Sequence, residues 1–132
     1  MMHSVKQYGP LVGRILIAQI FILAGISKIG GFAGTAGYMA SKGLPMAQVL
    51  LVLTIIIELG GGLMILLGWK ARIAAAVLFL WMIPVTLIFH NFWGVADAQQ
   101  VVQRIMFQKN LVMMGTMLLI YAFGSGKYSL SD

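Results

Sequence analysis

Apolar residues run through this chain in four long blocks separated by short polar or glycine-rich stretches. A helix that crosses a bilayer needs about 20 mostly apolar residues, at a rise of about 1.5 Å each. Blocks 8–29, 46–67 and 73–89 approach or meet that length, and block 110–123 is shorter and borrows the turn before it. The first block has an uncharged core between Arg14 and Lys28, short enough to mimic the apolar part of a signal peptide. Lys28 and two glycines separate that core from the small residues Ala33, Gly34 and Ala36, so the block reads as a retained helix. Segment 30–43 is glycine-rich and reads as a turn, within which Tyr38, Met39 and Ala40 could make a short helix. Leu44-Pro45 opens the second span, and Gly68-Trp69-Lys70-Ala71-Arg72 is a tight basic connection. Pro84 predicts a kink in the third span by freeing the carbonyl of Leu80. Phe89-His90-Asn91-Phe92-Trp93 ends that span in an aromatic belt.

From 96 to 108 the period changes. Val101, Val102, Ile105 and Met106 share one helical face, and Gln99, Gln100, Gln103 and Arg104 cover the other. This predicts an interfacial helix that runs on into the fourth span. Gly124-Ser125-Gly126 closes the span and leaves a short polar tail. The expected fold is all-α: an integral membrane four-helix bundle, up-down-up-down, with an interfacial helical segment before the fourth span. Residues 1–132 read as a single domain.

Composition strengthens this picture. The chain is 61% hydrophobic and 9% charged, against roughly 45–50% and about 25% in soluble domains. So few charges cannot cover a water-facing surface, and a disordered chain would be poor in apolar residues. The net charge of +6 comes from singly scattered lysines and arginines with no basic stripe. It reads as membrane-flanking charge beside a lipid bilayer, not as a nucleic-acid surface. With no cysteine, the chain offers no disulfide, thiolate metal site or dithiol couple of its own. One end would carry Lys6, Lys70, Arg72 and Lys127 with Arg14 just inside, and the other Lys28, Lys42, Arg104, Lys109 and Asp97. The Lys70–Arg72 loop tips this near tie towards both termini in the cytoplasm.

Charged side chains inside a membrane normally face the bundle interior and find partners. Counted from the helix end near Leu67, Glu58 lies roughly 13 Å deep, and Arg14, counted from Tyr8, roughly 9 Å from the same edge. An Arg14–Glu58 ion pair or polar pathway is therefore expected, with Lys28, about 15 Å away in depth, a poor partner for Glu58. The pair either pins two helices together or handles a proton or substrate. Lys28, His90, Asn91, Lys109 and Asn110 should gather at the opposite membrane face. There they would hold a quinone carbonyl or a small anion, or simply meet lipid phosphate and cap helix ends. His3 and His90 fall on opposite faces with no acid cluster beside them, so no metal site is expected. Met113, Met114 and Met117 read as apolar packing.

Short blocks in order give a further reading. Gly13-Arg14-Ile15-Leu16 with Phe21-Ile22 and Gly25-Ile26-Ser27-Lys28 resembles the first-helix signature of the DoxX family of small bacterial inner-membrane proteins. Glu58-Leu59-Gly60-Gly61, Ile65-Leu66-Leu67-Gly68 and Arg72 resemble its second-helix block. Phe89-His90-Asn91-Phe92-Trp93 and Phe107-Gln108-Lys109-Asn110 are similar to the third and fourth. Gly34-Thr35, Tyr38-Met39-Ala40 and Gly43-Leu44-Pro45-Met46 resemble the YphA-type branch. The resemblance implies a four-helix protein of the bacterial inner membrane. It also links the family name to quinone-linked redox systems, and carries Arg14, Lys28, Glu58, Arg72, His90, Lys109 and Asn110 as positions matching its blocks.

The functional expectation is a membrane subunit or partner of a quinone-linked redox system. No nucleophile-and-base motif marks the chain as an independent catalyst, and with no cysteine, haem-ligand pair or flavin motif, electrons would come from a redox partner protein. The alternatives are a small transporter that uses Glu58 and Arg14, for which a homo-oligomer would supply the wall of a pathway, and a structural scaffold.

Overall fold

The computed structural model describes residues 1–131. Helix α1 (Met2–Gly30) is followed after one residue by α2 (Phe32–Ser41). The second span, Ala47–Leu67, is built from α3 (Ala47–Ile55), a π-helical turn (Ile56–Gly60) and α4 (Gly61–Leu67). Helix α5 (Ala71–Phe89) passes through Pro84, and a 3₁₀ turn (Phe92–Gly94) leads to α6 (Asp97–Phe123). Four helical stretches are long and apolar enough to cross a membrane. Where lipid replaces water, backbone groups must be satisfied internally, and helices do this within one segment.

The fold is all-α, with neighbours in sequence packed as neighbours in space: α1 on the second span, that span on α5, and α5 on α6. Ala18, Phe21, Ile65, Ala74, Ala75, Leu78, Met82 and Met117 form the shared core. Met113 and Met114 pack against it, so with Met117 these methionines of α6 serve as apolar filling.

One element differs in extent from expectation. The glycine-rich segment is a ten-residue helix and not a turn. It forms because Ala36 and Met39 bury against Leu51, with Phe32, Leu44, Ala47 and Phe89 around them. Gly34 and Gly37 lie on its open side, where an added Cβ meets nothing within 4 Å. The interfacial segment runs on into the fourth span as one continuous 27-residue helix, as its pattern predicts.

The end of the second span is fully accounted for. Gly68 adopts φ 65°, the left-handed conformation that closes a helix, and donates to Ile65 O while Trp69 donates to Met64 O. Two terminal carbonyls remain. Leu67 O accepts from the Leu130 amide at 3.2 Å, and Leu66 O accepts from Arg14 Nη1 at 3.2 Å. The C-terminal segment is therefore a strap and not a free tail. Ser131 N–H donates to Gly68 O and Ser131 O accepts from Lys70 N–H. Tyr128 stacks on Tyr8 at 5.6 Å and accepts from Gln7 at its hydroxyl.

Candidate functional site: an ion pair at a helical defect

Glu58 sits inside the π-helical turn of the second span. An extra residue in a helical turn swings the following side chains to a new bearing, and such turns recur at functional sites. Here Glu58 is presented to α1, whose Lys28 Nζ lies 2.8 Å from Oε1 and donates to Oε2 at 3.3 Å. The side chains are 29% and 13% exposed, so both charges are largely withdrawn from the surroundings. Lys28 also occupies the last turn of α1, where the negative end of the helix dipole favours a cation.

The helix register explains the pairing. A Cβ on Gly25 would stand 3.1 Å from Leu59 Cβ, and one on Gly62 would stand 2.9 Å from Ile22 Cγ1. These small residues let the two backbones approach closely. They also fix Gly25 opposite Leu59, which brings Lys28 level with Glu58. Glu58 lies about 15 Å along its helix from Gly68, about half of a hydrocarbon layer of about 30 Å. Lys28 lies about 21 Å along α1 from Arg14. Helix α1 is thus displaced towards the strap end, and it stops beside the π-turn. Beyond that point α2 packs on α3 in its place.

The expected Arg14–Glu58 pair is therefore corrected. Glu58 pairs with Lys28, which depth counting had set aside, because α1 and the second span do not enter the apolar layer flush with each other. Arg14 is 3% exposed and reaches the other way. Its Nη1 donates to Ile65 O at 3.4 Å and Leu66 O at 3.2 Å, and its Nη2 to Lys127 O at 3.2 Å and Tyr128 O at 2.8 Å.

The residues expected to gather at the opposite face have separate partners. Lys28 is held by Glu58; His90 Nδ1 shares a 2.9 Å hydrogen bond with Gln103 Oε1; Asn110 donates to Thr86 Oγ1 at 3.0 Å. Asn91 Oδ1 is enclosed without a hydrogen-bond partner among the described residues, and Lys109 is exposed. Around them Phe92, Trp93 and Phe107 meet edge to face at 5.2–5.8 Å, with Arg104 over the Phe92 ring. At the strap end Lys70 lies over Trp69, and Arg72 is half-buried at the start of α5. Sequence reading had marked Glu58 and Lys28 separately. The π-turn that joins them carries no composition signal of its own.

This arrangement defines a class: a multi-pass helical membrane protein with a carboxylate–ammonium pair set among its apolar spans. The DoxX family model matches residues 9–91, and the chain belongs to the DoxX family. It is 38% identical to inner membrane protein YqjF of Escherichia coli (strain K12), over 98% of this chain and 94% of that protein. It is 32% identical to inner membrane protein YphA of the same organism, over 91% of this chain and 86% of that one. A third relative, "Putative oxidoreductase CatD" of Bacillus subtilis (strain 168), is 32% identical over 62% of this chain and 60% of its own length. No solved structure matches the chain.

Proposed function

We propose that this protein is the membrane component of a quinone-linked redox system, with the Lys28–Glu58 pair meeting the quinone headgroup. The observation that carries this reading is the 2.8 Å contact between the two charges at the π-turn, about halfway along the second span. A quinone travels within the hydrocarbon layer and needs a donor for its carbonyl and a proton source when reduced. An ammonium has three donors, of which the carboxylate takes one directed bond here, and a carboxyl group can carry a proton. The relative named as an oxidoreductase supports a redox setting. Electrons come from a partner protein, since the chain has no cysteine to carry them. The transport alternative loses Arg14, whose guanidinium is committed to four carbonyls.

The test is native mass spectrometry of the protein extracted gently from its own membrane, with quinone analysis of what accompanies it. Stoichiometric quinone is expected with the unaltered chain and with His90→Ala. It should be lost in Lys28→Met and Glu58→Gln when their helical content and elution are unchanged. Quinone retained equally by those two variants, or phospholipid alone with the unaltered chain, would sink the reading.

In the same reading both termini face the cytoplasm. Lys28 is neutralised inside the span and leaves the count of flanking charge. Lys6, Arg14, Lys70, Arg72 and Lys127 then stand at the strap end, against Lys42, Arg104 and Lys109 at the other.

A further inference from the structure

We infer that the cleft between α1 and α6 holds an acyl chain of an anionic phospholipid, with its phosphate on Lys6 and Lys127. Helix α6 packs on α5, and Met117 is its buried residue among those described. This leaves a cleft of about 360 Å³ against α1, with Gly13 and Ile17 on one wall and Leu119, Ile120 and Phe123 on the other. It begins at Pro10 and Ser125, beneath the strap. From Pro10 to Ile17 the wall of α1 runs about 10 Å, which fits within one leaflet of about 15 Å of hydrocarbon. Gly13 gives the cleft its width: an added Cβ there meets nothing within 4 Å.

Charge at the mouth selects the lipid. The strap crosses the start of α1, with Gly126 against Pro10 and Tyr128 against Gln7 and Tyr8. Lys127 lies between those two contacts and Lys6 directly precedes Gln7, and both side chains are exposed. The other charged groups at this end among the described residues, Lys70 and Arg72, are cationic as well. Arg14 lines the cleft but spends its guanidinium on the second span and the strap, so it shapes the floor and leaves the phosphate to the lysines. A basic cluster at a membrane surface attracts anionic lipid, and an apolar cleft facing the bilayer accepts its chain.

The experiment reconstitutes the full chain in nanodiscs of phosphatidylglycerol and phosphatidylcholine, then releases it into detergent for native mass spectrometry. The unaltered chain should retain phosphatidylglycerol in preference. Gly13→Leu, whose Cβ meets nothing within 4 Å and whose branched end occupies cleft space, should abolish retention with helical content unchanged, and Leu119→Trp does the same from the opposite wall. Replacing Lys6 and Lys127 by Gln should lower the preference over phosphatidylcholine roughly fivefold per lysine. Retention unaffected by both cleft variants, no preference between the two lipids, or a preference independent of the lysines would each overturn the inference. The readout is phospholipid, so its failure leaves the quinone reading untouched.

Discussion

Arg14 binds two parts of the chain at once. Its planar fork presents donors in two directions, one set to the last turn of the second span and one to the strap. Leu66 O is supplied by this side chain where the helix cap stops. Arg14→Ala should therefore lower unfolding stability by about 3 kcal/mol, the scale of a lost charged hydrogen bond with acceptors left buried. It should also free the strap for cleavage near Lys127. Arg14→Lys should restore only part of this, since an ammonium is a point and cannot span both segments. Denaturant titration in detergent and limited proteolysis measure the two effects. Full rescue by lysine would mean that charge alone suffices. The sequence marked Arg14 as a charge inside a span, but its true acceptors are backbone carbonyls, which no residue type announces.

The helical elements show where sequence reading reaches and where it stops. Four spans were legible because apolar length is itself the membrane signal. The interfacial stripe of 96–108 gave both a helix and its continuity with the fourth span, since both halves satisfy one helical period. Segment 30–43 reads as a turn with at most a short helix at 38–40, because glycine is a poor helix former in water. Burial of Ala36 and Met39 against Leu51 overrides that preference. Register was out of reach for another reason. Depths counted from apolar ends assume spans that start level, whereas the contacts of Gly25 and Gly62 set α1 against the second span out of step. Those glycines make the register testable. Gly62→Leu would drive its side chain into Phe21 and Ile22, separate the helices and break the Lys28–Glu58 contact. Its cost should exceed the roughly 1–3 kcal/mol of overpacking at a site able to shift, because backbone as well as side chain stands in the way. Gly115→Leu, on an open face of α6, should leave stability within about 0.5 kcal/mol. Thermal unfolding followed by circular dichroism separates the two, and equal losses would refute this register.

At the scale of the whole molecule, one ion pair bears on the proposed orientation of the chain in the membrane. Counted by residues alone, lysines and arginines at the two ends nearly balance. Pairing Lys28 with Glu58 removes one cation from the end opposite the strap. The positive-inside rule counts Lys and Arg near the span ends, which is why the proposed orientation sets the strap end in the cytoplasm. The strap's bonds to the Gly68–Lys70 connection keep the C-terminal segment beside the N-terminal turns of α1. Both termini therefore report on one face. A chain without cysteine makes this measurable without background. In intact cells a membrane-impermeant maleimide should label Ala98→Cys, at the start of α6, and should reach Ser4→Cys only after lysis. Adding Lys70→Gln and Arg72→Gln should weaken the bias and give a mixed labelling pattern, because those residues form the shortest basic loop. Labelling of Ser4→Cys in intact cells, with Ala98→Cys protected, would reverse the orientation and with it the leaflet in which Lys6 and Lys127 meet lipid.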